Sequence, residues 1–344
     1  MRRLGLGCLA IAAALSLASP AEARHVHKHA AKPIAPKVMV IAMIPPEAAP
    51  WLKYDKPSIK VSVPGIAAEF PFACTPDGLC VMTVGMGYAN AASSISALVY
   101  SHKFDLRRTY FLIDGIAGVD PKAGTLGSVH WARYAVDTGL RHEIDPRQMP
   151  ADWSSSFVAL GGHKPGDKPV YHARTEVFQL NEALLEKAYA LSRDVPLMDT
   201  PEAATYRQHY TEKAALSAPF VSICDTASDD IFWYGSITEK KVADFTALMS
   251  DSKASYCTTQ MEDNATLTAL ARGTSAGLVD MDRVAVLRSA SDFDREGKDQ
   301  GVAESMGDST GYPLAVENGY RVGAALAHAI VGNWPKWSKG VPNN

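Results

Sequence analysis

Three apolar stretches that end in polar residues constrain the fold of this 344-residue chain more than any other feature. They are "KVMVIAMIPPE", "RTYFLIDGIAG" and "RVAVLRSASDFD", each short and bounded by turn-forming or polar residues. Runs of this length suit strands covered on both faces, and such strands belong to sheets layered between helices. Helix-like segments intervene, among them "NAASSISALVYS" after Gly87 and the closing "NGYRVGAALAHAIVGNW". The alternation predicts one large α/β domain with a central sheet over residues 37–340, without internal repeats. Residues 150–215 are less regular and read as an insertion or lid: they hold the loop "GGHKPGDKP" and the amphipathic "TEVFQLNEALLEKAYALSR".

The start of the chain follows another logic. Arg2 and Arg3 precede an apolar run to about Ala18, and Ala21-Glu22-Ala23 follows. This is the layout of a secretory signal peptide, with cleavage expected after Ala23. The run is shorter than the ~20 residues a spanning helix needs, so no membrane insertion of the mature chain is expected. Residues 24–36, with His25, His27, His29 and two prolines, read as a flexible leader. A periplasmic or secreted location follows. Hydrophobic residues make up 47% of the chain and the net charge is −3, which excludes a basic nucleic-acid surface and favours small polar partners.

After cleavage Cys74, Cys80, Cys224 and Cys257 remain, an even number in an oxidising compartment. Cys74 and Cys80 flank "TPDGL", whose Pro76-Asp77-Gly78 is turn chemistry between two β-rich runs, so a bridge across a hairpin is predicted. Cys224–Cys257 follows mainly by elimination, with free buried thiols as the alternative. No CxxC spacing suggests zinc, and neither a metal nor a cofactor is expected.

Chemistry concentrates where the strands end. Glu47 follows Pro45 and Pro46, which stiffen its turn; a plain surface carboxylate at a helix start is the alternative. "VGMGYANAASS" sets Gly85, Gly87 and Asn90 between a strand and a helix, where backbone amides can approach a ligand. Gly115 and Gly118 repeat that theme after the next strand. Met261 and Glu262 open a helix, where a carboxylate can accept both hydroxyls of a vicinal diol or simply cap the helix. Phe232, with Trp233 and Tyr234, can stack on a base or fill a core. Ser291 and Asp292 close the last strand, while Arg288 reads as structural support paired with a neighbouring carboxylate.

In this order, "VIAMIPPE", "GMGYANAASS", "FLIDGIAGVDPKAGTLGSVHWARY", "SDDIFWYG", "TTQMEDNAT" and "VLRSASDFD" resemble the purine nucleoside permease family over residues 37–335. The resemblance implies a nucleoside phosphorylase-like fold, a mixed twisted central sheet flanked by helices, with a purine nucleoside at the strand ends. By motif, Met261 and Glu262 match the pair that holds the ribose, Phe232 the aromatic beside the base, and Ser291 with Asp292 the pair facing purine N7. Glu47 falls where the nucleosidase branch keeps its water-activating carboxylate. The chain departs from the phosphorylase branch: Ile113 and Asp114 stand where phosphate users place an arginine, and Asp114 is expected to repel a phosphate dianion. Asp229 replaces a glycine near the base. The implied reaction is hydrolysis of the N-glycosidic bond, with Asp292 as acid, Glu47 as base and Glu262 on the ribose. A non-catalytic nucleoside-binding component of uptake is the alternative. A homo-oligomer and an unidentified membrane transporter are partners the sequence leaves open.

Overall fold

Two ten-residue strands, Tyr110–Val119 and Val284–Phe293, lie side by side in parallel at the centre of the sheet. The computed structural model describes residues 32–306 and 310–342, and the signal peptide with most of the leader lies outside the described residues. Within the stretch read as leader, Ile34 is already tied to the body by a bridge to Phe104.

Alternate side chains of the central strands enter two different apolar layers, which is why the runs are continuously hydrophobic. Met39, Ile41, Phe111, Ile113, Val284 and Val286 pack on one face with Ile95 and Leu98 of helix Tyr88–Tyr100 and Leu267 and Leu270 of helix Asp263–Ser275. Val38, Val40, Tyr110, Leu112, Ala285 and Leu287 pack on the other with Val322 and Leu326 of helix Tyr312–Gly332. Each fully buried aliphatic or aromatic side chain contributes roughly 1.5–3 kcal/mol relative to exposure, so these layers hold the sheet together.

Twelve strands among the described residues form one mixed sheet. Strand Tyr110–Val119 changes partner along one edge: Val38–Ala42 runs parallel beside its first half, and Tyr256–Gln260 runs antiparallel beside its last residues. Neither pairs with residues 114–117. A gap therefore opens at the sheet centre, where the carboxyl ends of Val38–Ala42 and Tyr256–Gln260 approach each other. Crevices of this kind outside strand ends are where α/β folds bind ligands.

Two disulfides reinforce the sheet. Cys74–Cys80 staples the antiparallel hairpin Phe72–Cys74/Leu79–Thr83, where the two cysteines are register partners with Cα atoms 4.0 Å apart. Cys224–Cys257 ties the end of strand Val221–Ile223 to strand Tyr256–Gln260, with a Cα separation of 5.8 Å. Residues 150–215 contribute an edge strand, Val177–Gln179, and a helix, Glu182–Ser192, whose Leu184, Leu185 and Ala188 enter the second apolar layer.

Candidate active site

The gap in the sheet is a cavity of about 280 Å³, mostly apolar, into which three carboxylates open. Of the residues read from sequence as site residues, Glu47, Phe232, Met261, Glu262, Ser291 and Asp292 line it together. Met43, Ile44, Met86, Ala117 and Thr259 complete much of its apolar wall.

Glu47 sits in the first turn of helix Pro45–Tyr54, where the two prolines lack N–H groups that would have no partner anyway. It is buried rather than on the surface. Its Oε2 accepts from the amides of Met43 (2.7 Å) and Ile44 (2.9 Å), and its Oε1 from Ile116 (2.9 Å). The Ile116 amide lies in the stretch that has no strand partner on that edge, so the change of partner is what presents it to the carboxylate. Burial pushes the Glu47 carboxyl above its ordinary value, while the Ile116 amide and the charge of Arg288 pull it back.

Glu262 is at the N-terminal cap of helix Asp263–Ser275, yet it does not do the capping. The side-chain oxygen of Gln260 accepts from the Glu262 and Asp263 amides (2.8 and 2.9 Å), and this leaves the Glu262 side chain to the cavity. Its Oε1 accepts from the Gly87 amide at 3.1 Å. Gly87 has φ 86°, and a Cβ there would lie 2.8 Å from Asp230 Oδ1, so glycine is required at this approach. Burial raises the Glu262 carboxyl, and Arg288 offsets this.

Behind both carboxylates lies Arg288, only 1% exposed. It forks onto Asp263 (Nε–Oδ2 3.1 Å, Nη2–Oδ1 2.5 Å), donates to the Ile116 carbonyl (3.0 Å), and passes 3.6 Å from Glu262. Gly115 makes the room: a Cβ there would meet Arg288 Nη1 at 2.5 Å. Gly115 thus acts beneath the cavity rather than in its lining, and Gly87 acts through its amide.

On the facing wall, strand Val284–Phe293 bulges between Ala290 and Asp292. The extra residue breaks the strict alternation and re-aims the Asp292 side chain, a common use of bulges near sites. Ser291 Oγ donates to Asp292 Oδ1 at 2.6 Å. Burial pushes Asp292 up to about 6, with the serine pulling slightly the other way.

Asn90, Asp114 and Asp229 also lie outside the cavity lining. Asn90 does not line the cavity; its Nδ2 donates to the Met86 carbonyl (2.8 Å), closing the loop before its helix. Asp114 also lies outside the lining. It accepts from Trp51 Nε1 at 2.8 Å, and burial, with Glu47 adding to it, pushes its carboxyl up to about 7. Any repulsion of an anion therefore comes from behind the cavity wall, not from within it. Asp229 is buried, paired with Arg141 and accepting from the Ile231 amide (3.1 Å), so an aspartate-supported turn serves where a glycine was expected. Sequence reasoning missed Gln260 as the cap, because glutamine lacks the short side chain by which caps are recognised. It also missed the Ile116 amide, for which no residue type is a signal.

The fold is nucleoside phosphorylase-like. It is similar to the futalosine hydrolase of Helicobacter pylori (16% identity, 86% of this chain and 97% of that one, TM-score 0.50). It is also similar to the Helicobacter pylori 5′-methylthioadenosine/S-adenosylhomocysteine nucleosidase with butyl-thio-DADMe-Immucillin-A (16% identity, 87% and 98%, TM-score 0.50). Residues 35–342 match the sequence profile of purine nucleoside permease (NUP). A probable purine nucleoside permease of Schizosaccharomyces pombe is 40% identical over 349 residues, covering 97% of this chain and all of that one. The purine nucleoside permease of Candida albicans is 37% identical over 323 residues, covering 91% and 80%. This chain belongs to the purine nucleoside permease family.

Proposed function

We propose that the chain binds a purine nucleoside in this cavity and cleaves its N-glycosidic bond with water. The observation that carries the reading is the convergence of Glu47, Glu262 and Asp292 on one apolar cavity. Cleavage builds positive charge on the sugar and negative charge on the departing base. A carboxylate beside the ribose and a protonated acid beside the base oppose those changes directly. Asp292, raised to about 6, is the group suited to deliver a proton to the base. Glu47, held on three amides with lone pairs to spare, orients and deprotonates water, and Glu262 accepts from the ribose hydroxyls. Phe232, 62% exposed at the mouth, covers the bound base. Arg288 is a positioning residue, since Asp263 and Ile116 take its donors.

Water is favoured over phosphate as the nucleophile. Among the described residues lining the cavity there is no cation, and a dianion would stand among three carboxylates. We further propose export and a part in nucleoside uptake. The leading apolar run and the two disulfides support export, and the names of the fungal relatives support uptake. Among the described residues no helix is long and apolar enough to cross a membrane, so uptake by this chain means handing nucleoside, or its products, to a separate transporter. The permease names of the relatives also favour a second reading, in which the same cavity binds nucleoside without turnover.

Release of free base and reducing sugar from adenosine, inosine and guanosine, with and without phosphate, tests the proposal. Phosphate-independent release is expected. Strict dependence on phosphate overturns the choice of water, and saturable binding without release establishes the binding-only reading.

A further inference from the structure

A second cluster of reactive side chains lies apart from the cavity, where His130 faces the Cys224–Cys257 disulfide. The ring nitrogen and the two sulfurs all lie within 4.8 Å of one another. His130 is 1% exposed. Its Nδ1 is 2.9 Å from Ser222 Oγ, whereas Nε2 is buried with no hydrogen-bond partner among the described residues. A Cβ at Gly124 would lie 2.8 Å from that Nε2, so nothing larger than glycine leaves the lone pair open there. An unpaired buried polar atom costs on the order of 1–3 kcal/mol, and such an atom in a native fold calls for a role.

We infer that in the reduced chain His130, Cys224 and Cys257 form a binding site for one thiophilic divalent ion of the zinc class. Two thiolates and one imidazole nitrogen are a recognised donor set for zinc, at about 2.3 Å for sulfur and about 2.0–2.1 Å for nitrogen. Such an ion brings its donors within about 4 Å of one another; the imidazole already lies within 4.8 Å of both sulfurs, and the sulfurs, bonded in the disulfide, move apart once that bond is broken. A metal-bound histidine is usually oriented through its other ring nitrogen, and Ser222 fills that place. The ligands reside on neighbouring strands rather than in one motif: His130 on Val129–Trp131, Cys224 just after Val221–Ile223, and Cys257 on Tyr256–Gln260. Ligands placed in this way leave no CxxC-like spacing in the sequence.

A dithiol reductant gives two electrons and two protons to the Cys224–Cys257 bond, which breaks into two thiols while the reductant closes to its own cyclic disulfide. The ion then forms two metal–sulfur bonds and one metal–nitrogen bond, and the two thiol protons pass to buffer. Water completes the fourth position. Cys224 is only partly buried and offers the approach for reductant and ion. Disulfide and metal exclude each other, so the site is gated by the redox state of the chain.

The test uses the full chain, reduced with a dithiol, desalted without oxygen and titrated with Co²⁺. One bound ion per chain is expected, with a thiolate-to-cobalt charge-transfer band and the visible bands of a four-coordinate ion. The oxidised chain should show neither. Cys74→Ser/Cys80→Ser should keep the bands, Cys224→Ser/Cys257→Ser should lose them, and His130→Ala, which removes a direct ligand, should weaken binding by at least the roughly 10–100-fold that loss of a mere orienting partner costs. Far-UV circular dichroism checks each fold, and if His130→Ala fails to fold, the two double-serine variants decide the matter. Absence of the bands in reduced protein overturns the proposal, as does their persistence without Cys224 and Cys257 or undiminished affinity in folded His130→Ala.

Discussion

The two walls of the cavity use carboxylates in opposite ways. On one, Glu47 and Glu262 each accept from backbone amides and lie close to the buried charge of Arg288. On the other, burial lifts Asp292 to about 6, and among the described residues the Ser291 hydroxyl is what offsets it. Burial acts on all three. Donors and a nearby cation offset burial on one wall, and a single hydroxyl does so on the other, a difference in keeping with the separate roles proposed for the two walls.

The comparison is broken most severely by removing the charge of Glu47. Glu47→Gln keeps the size and one acceptor oxygen, so nucleoside affinity by calorimetry should stay within a few-fold while base release falls about 10²–10⁴-fold. Equal turnover in mutant and wild type would sink the proposed base. Next in size is Arg288→Met, which leaves Asp263 and Glu262 buried without their cation. Loss of one partner of a buried ion pair costs about 3–5 kcal/mol, to be read from urea unfolding. An unchanged midpoint would mean that the two acidic groups tolerate burial unaided.

The smallest expected effect concerns Asp292 and sharpens the contrast by its sign. Its carboxyl sits at about 6 in the fold against 3.8 ordinarily, so its contribution to stability is full below pH ~4 and is lost as pH rises through about 6. Asp292→Asn should therefore match wild type near pH 4 and be more stable by about 1–3 kcal/mol near pH 8. Over the same range wild-type base release should decline as pH climbs above about 6, because the proton donor is lost. Denaturation at both pH values and a pH–rate profile check the pair; a variant less stable at pH 8 would show that the ionised aspartate is not a burden there.

Much of the sheet was legible in the sequence because burial on both faces leaves a continuous apolar run. The runs at Val38–Ala42, Tyr110–Val119 and Val284–Phe293 became adjacent central strands, and the predicted α/β class with its mixed sheet is the class observed. The turn at Pro76-Asp77-Gly78 likewise led to the Cys74–Cys80 hairpin. The site was legible by residue type only in part. Asn90 looked suited to approach a ligand and Asp114 to repel an anion, and the fold turned them to Met86 and Trp51.

By itself, then, the sequence determined the apolar layering, the cysteine pairing across the hairpin and the polar residues available at the strand ends, since these depend on local period and turn chemistry. Which of those residues share one cavity was decided only by the tertiary structure. The decision rests on a change of strand partner that exposes the Ile116 amide, a bulge that re-aims Asp292, and a glycine that admits Arg288. Each depends on groups far apart in the chain meeting at a few ångströms, and distances of that kind leave no period or spacing in a sequence.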